Sequence, residues 1–141
     1  DVMEPTHEAY TMLAALAPQT NRLRLGVMVA GNTYRNPAFL LKQAMTVDEI
    51  SGGRVTFGVG AGWTRREHEA YGWPLPAPKE RVDMFEEALE IWELLQSKDR
   101  VSYLGKHYEL IDAPFEPKSS QGKLPVLIGG DHLNVLASLG A

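Results

Sequence analysis

The sequence predicts an α/β fold built on parallel strands, and three observations carry that reading. Segments with helical spacing of apolar residues alternate along the chain with short apolar runs of strand character. Two of those runs, "VTFGVGAG" and "LPVLIGG", stop abruptly in glycines. The connections between successive strands are long and helical, as right-handed parallel crossovers require. An open doubly wound sheet and a closed eight-stranded barrel both satisfy this order. A complete barrel takes roughly 250 residues, so for a chain of 141 residues the barrel reading implies a segment with about three parallel strands.

Taken in order, Tyr10, Leu13, Ala14, Leu16 and Ala17 recur at helical spacing and predict a helix from about Glu8 to Ala17. "NRLRLGVMV" alternates, with Leu23, Leu25, Val27 and Val29 on one side, and predicts the first strand. In "AGNTYRNP", Asn36 is placed to cap the next helix and Pro37 suits its first turn. That helix carries Leu40, Leu41, Ala44, Val47 and Ile50 and ends at Ser51-Gly52-Gly53, where glycine accepts a left-handed cap. Val55, Phe57 and Val59 form the second strand. "EHEAYGWPLPAPKER" is expected to be a proline-broken loop.

From about Lys79 to Gln96, the stripe Val82, Phe85, Leu89, Trp92 and Leu95 predicts the clearest helix. "VSYLGKHYEL" reads as a small hairpin turning at Gly105-Lys106. "LPVLIGG" is expected to be a third, buried strand, and Leu133 to Leu139 a last helix.

Composition excludes several function classes. The formal charge of −4 argues against nucleic acid or an anionic membrane as the main partner. No run approaches the length that spans a bilayer. With no cysteine there is neither a disulfide framework nor a thiolate metal site, and a cytoplasmic setting is expected. The opening "DVMEPTHEAY" has no initiator methionine in front and reads as the interior of a longer chain.

Gly58, Gly60 and Gly62 followed by Trp63 raise the question of chemistry. A dinucleotide fingerprint would open directly into a long helix, and a Walker loop would supply Gly-Lys-Ser or Gly-Lys-Thr; neither pattern is present. Two readings stay open: backbone left bare so that a planar cofactor can lie against it, or a tight strand-to-loop turn. His68 between Glu67 and Glu69 lacks the second histidine of a zinc helix, and His7, His68, His107 and His132 show no ligand spacing, so no metal is expected. Glu67 and Glu69 read as a solvated face within reach of a pocket. Gly129-Gly130 offers either a phosphate-binding turn or an ordinary helix-entry loop. Trp92 falls on the helix stripe and belongs to the core, whereas Trp63 and Trp73 sit in loops where they could wall a pocket.

The ordered combination "EAYTMLAALAPQTNRLRLGVMVAGNTYRNPAFLLKQAMTVDEISGGRVTFGVGAGW", "EHEAYGWPLPAPKERVDMFEEALEIWELL", "VSYLGKHYEL" and "LPVLIGG" resembles the luciferase-like monooxygenase superfamily, particularly its deazaflavin-dependent oxidoreductases. The resemblance implies a TIM-type (β/α)8 barrel, of which residues 1–141 would be a single partial domain, the third to fifth βα units. It implies a cofactor at the C-terminal strand ends, deazaflavin coenzyme (F-420) or alternatively FMN. Gly60, Ala61, Gly62 and Trp63 would lie along it. A non-proline cis peptide would fall at Met28-Val29 behind the ring, with Gly31 and Asn32 near the ring edge and Gly129 and Gly130 near the phosphate.

The implied activity is hydride transfer between reduced deazaflavin and a small organic substrate, with an FMN-dependent two-component monooxygenase as the alternative. A third reading, from another class, is a non-catalytic partial barrel stabilised by self-association across exposed sheet edges. The resemblance also implies a homodimer through the helix of Leu40 to Ile50. Two departures stand out. Trp63 occupies the place where some deazaflavin sugar-phosphate dehydrogenases carry a catalytic glutamate, so no catalytic residue is assigned. After Gly130 the chain reads "DHLNVLASLGA" instead of the family's glycine and Arg-Thr helix start.

Overall fold

The computed structural model describes residues 6–130. Helix α1 (Ala9–Leu16) begins at Glu8, whose carboxylate accepts from the amides of Tyr10 and Thr11, and runs into a 3-10 turn at Ala17–Gln19. The first strand is two pieces, β1 (Leu25–Gly26) and β2 (Ala30–Gly31). Helix α2 (Pro37–Ser51) follows, then β3 (Val55–Gly60). Asn36 caps α2 through its side-chain oxygen, and Gly52 ends it at φ 70°, both as the local chemistry predicts.

Next come α3 (Arg65–Tyr71) and α4 (Pro78–Ser97). A hairpin of β4 (Arg100–Leu104) and β5 (Glu109–Pro114) precedes β6 (Val126–Ile128). The expected helix at Leu133 to Leu139 lies outside the described residues. No helix among the described residues is long and apolar enough to cross a membrane.

β3 is the centre of the sheet. β1 and β2 pair with one of its edges and β6 with the other, all parallel. Val55, Phe57 and Val59 turn one face outward under the helices and are fully buried, with Leu40, Leu41, Phe85, Ile91 and Trp92 packed in the same core. Trp92 meets Phe57 edge to face at 4.9 Å and donates its indole N–H to the Pro37 carbonyl at 2.7 Å, so its polar end is satisfied inside the core.

Polar ties close the N-terminal end of the sheet. The fully buried Asp48 accepts from the Val55 amide at 3.1 Å, the Ser119 hydroxyl at 2.6 Å and the Gln121 amide at 2.8 Å. Arg54 donates to the carbonyls of Ala17, Thr20, Leu23 and Ser51, joining the end of the 3-10 turn to the start of β3.

Three local expectations are corrected. The stretch from Glu67 onward is not wholly loop: α3 forms, and only its His68 is buried, so no apolar stripe announces it. The hairpin turns one residue later than expected: the Gly105 amide donates to the Tyr108 carbonyl at 2.9 Å, so Lys106 and His107 form the tip, and the Glu87 carboxylate on α4 gathers the amides of Lys106, His107 and Tyr108 at 2.8–3.1 Å. Finally, β6 is not a buried strand: among the described residues it pairs on one edge only, and Val126 and Leu127 are 41% and 43% exposed.

Asp48→Ala would strand two buried donors, the Val55 amide and the Ser119 hydroxyl, each costing about 1–3 kcal/mol, while the half-buried Gln121 amide keeps the Val55 carbonyl. Urea denaturation is expected to show a loss of at least about 2 kcal/mol, and a loss under about 1 kcal/mol would contradict the role given to Asp48.

Candidate cofactor site at the strand ends

Register fixes where the site lies. Leu25 pairs with Val55 and Gly26 with Thr56; farther along, Ala30 pairs with Val59 and Gly31 with Gly60. Four steps on the first strand therefore match three on β3, and the extra residue is accommodated within Val27–Val29. The Met28–Val29 peptide in that bulge is cis, where the family resemblance places it.

The bulge explains the glycines. A Cβ on Gly58 would overlap the Val27 carbonyl oxygen. A Cβ on Gly60 would meet Val29 Cγ2 and the Gly129 carbonyl oxygen, both at 3.0 Å. A Cβ on Gly129 would meet the two methyl carbons of Val29 at 2.7 and 2.8 Å. Val29 thus crowds the places of two absent side chains, at Gly60 on β3 and at Gly129 just after β6, while the Val27 carbonyl takes the place of a third at Gly58. Gly129 is tied in turn by its amide to the Val59 carbonyl at 2.9 Å.

Beyond Val29 the rim is open. Met28, in the bulge before β2, is 89% exposed, and Trp63, in the loop after β3, is 80% exposed. Between them run Gly31, Gly60, Ala61 and Gly62. Gly62 has φ 85°, and a Cβ there would overlap the Thr33 hydroxyl. Gly31 lies under the Tyr34 ring, where a Cβ would come within 2.6 Å.

Not every expected residue faces the rim with its side chain. Asn32 is 1% exposed, and its amide donates to the Tyr108 hydroxyl at 3.0 Å, tying the strand end to the hairpin loop. Gly130 is exposed and extended, with nothing within 4 Å of a notional Cβ.

The residues that organise the rim were not singled out for this role by sequence reasoning. The His68 ring is fully buried, with Nδ1 2.7 Å from the Thr64 carbonyl and Nε2 2.8 Å from the Thr33 hydroxyl. Tyr34 stacks on His68 at 4.7 Å, meets Trp73 edge-on at 5.5 Å, and donates its hydroxyl to Glu67 at 2.5 Å. Burial first, and then the Glu67 carboxylate, push the Tyr34 phenol up, so it stays a donor at neutral pH. Glu69 instead pairs with Arg65 on the surface. The one signal in the sequence was a polar residue one helical turn beyond Thr64.

The family model described as luciferase-like monooxygenase matches residues 2–141. This chain belongs to that family. Among curated relatives of the luciferase-like chain, an F420-dependent glucose-6-phosphate dehydrogenase from Amycolatopsis mediterranei is 34% identical over 121 residues, 85% of this chain and 36% of the relative. An FMNH(2)-dependent dimethylsulfone monooxygenase from Pseudomonas putida is 30% identical over 124 residues, 88% of this chain and 34% of the relative.

The solved coenzyme F420-dependent tetrahydromethanopterin reductase of Methanopyrus kandleri superposes with a TM-score of 0.81 at 25% identity, over 96% of this chain and 42% of that one. The luciferase-like chain thus spans about a third to two-fifths of the length of these proteins. Its fold is a segment of their TIM-type barrel.

Gly58→Ala tests the steric account, because the overlapping atom is backbone and cannot rotate away. The variant is expected to lose at least about 3 kcal/mol or fail to fold, as read by circular dichroism on denaturation; a wild-type midpoint would contradict it.

Proposed function

We propose that this chain forms the ring-facing wall of a luciferase-like oxidoreductase that uses deazaflavin coenzyme and acts on a small organic substrate. The observation that supports the reading most is the glycine-rich rim, where Met28 before β2 and Trp63 after β3 are both exposed. Large apolar side chains held in solvent at parallel strand ends suit a flat, largely apolar ring. Met28, Val29, Gly31, Gly60, Ala61, Gly62 and Trp63 would border that ring, and Gly129 and Gly130 would lie toward its phosphate arm. Asn32 would act from behind, by holding the strand end to Tyr108.

A bound reduced deazaflavin supplies the hydride; the chain's own contribution is to hold the ring, bare one face to substrate and exclude water from the other. FMN is the second reading, favoured by the FMNH(2)-dependent relative. A cytoplasmic setting fits the absence of cysteine. The exposed Phe39 and Ile50 on α2, at 58% and 47%, support self-association as a homodimer. The open β6 edge and the cleft of about 1070 Å3 between α4 and β6 support the third reading, a partial barrel completed by a partner.

Tryptophan fluorescence of the chain, titrated with the deazaflavin coenzyme and in parallel with FMN, distinguishes these. Saturable quenching by deazaflavin, largely lost in Trp63→Phe, is the expected result. Saturation by FMN alone would select the second reading. No saturable response to either, with a dimer by light scattering, would overturn the cofactor reading in favour of the third.

A further inference from the structure

α3 is too short to hold its own place. Seven residues form no stable helix alone, and six of these seven are exposed. What fixes α3 against the sheet is therefore His68, together with the Tyr34–Glu67 hydrogen bond. An apolar residue would anchor such a helix as well if filling space were the only need. The imidazole instead makes two directed bonds. The Thr64 carbonyl can only accept, so Nδ1 donates to it, and Nε2 shares a hydrogen bond with the Thr33 hydroxyl. That hydroxyl takes the place a Cβ on Gly62 would need, and Gly62 stands at φ 85°.

One chain of contacts thus runs from the loop after β2, through Thr33, to both ends of the loop after β3: Gly62 by packing, and Thr64 through His68. Trp63 lies between those two points.

We propose that His68 and Thr33 are positioning residues that lock the two rim loops together, setting the backbone at Gly62 and the direction of Trp63. The lock is a property of the protein without cofactor. Its consequence for ring binding rests on the cofactor reading given above.

Thr33→Val keeps the side-chain shape and removes the hydroxyl, whereas Thr33→Ser keeps the hydroxyl and removes the methyl. Amide hydrogen exchange of residues 68–73 in the cofactor-free chain reads the lock directly, because the His68 amide donates to the Thr64 carbonyl and the Trp73 amide to the His68 carbonyl. Exchange in Thr33→Val is expected to rise about tenfold, with β3 amides unchanged and Thr33→Ser close to wild type. Equal exchange in Thr33→Val and wild type would overturn the proposal, as would a Thr33→Ser variant as fast as Thr33→Val, which would make shape and not the bond responsible.

Deazaflavin titration of the same proteins separates the two claims. Wild type that binds no flavin defeats the cofactor reading, while the exchange result still judges the lock. Wild type that binds, with Thr33→Val loosened yet binding equally well, would overturn the positioning role. The expected result is binding weakened about tenfold in Thr33→Val and restored in Thr33→Ser.

Discussion

Val29 stands in a slot made by what Gly60 and Gly129 lack, and the arrangement of the strand ends depends on that packing. Valine is stiff at χ1 and cannot swing aside, so those two glycines are a steric consequence of its position, and Gly58 is one of the Val27 carbonyl beside it. Because β3 is the centre of the sheet, the same side chain sets how closely β2 and β6 approach it. Wherever the Val29 methyl groups lie, the bulge of Val27–Val29 is held, and Met28 is turned out to solvent.

The loops hang on this frame by polar contacts instead of apolar ones. Asn32 reaches back to Tyr108, whose loop is gathered by Glu87. Burial raises the Glu87 carboxyl, but the amides of His107, Lys106 and Tyr108 outweigh it and hold the group below its usual value. The hairpin is therefore more than a decoration on the barrel segment: it supplies the Tyr108 hydroxyl that accepts from the buried Asn32 amide. On the other side, Thr33, Tyr34, Glu67 and His68 bind α3. Directed bonds suit a rim that must present backbone at a fixed angle, since apolar contacts tolerate sliding.

Local chemistry was legible in the sequence, and long-range partnership was not. The caps of α2 at Asn36 and Gly52, the core place of Trp92 and the parallel sheet all follow from neighbouring residues and periodicity. The glycines were legible as a close approach, but the approaching groups, the Val27 carbonyl and the Val29 side chain, lie far upstream in the bulge between β1 and β2. α3 escaped notice because its buried face is a single histidine. Asn32 was expected at a ring edge, and its burial depends on Tyr108, 76 residues later. The exposure of β6 could not be read from "LPVLIGG", because an apolar run looks the same at a sheet edge as in its middle.

A double-mutant cycle between Val29 and Gly129 tests the central packing claim most directly. Gly129→Ala alone places a methyl within 2.7–2.8 Å of the Val29 side chain and should cost about 1–3 kcal/mol by urea denaturation. In a Val29→Ala background the obstructing methyls are gone, so the same substitution should cost little, giving a coupling of at least about 1 kcal/mol. An equal cost in both backgrounds would show that Val29 does not fill the slot, and the account of the glycines would fail.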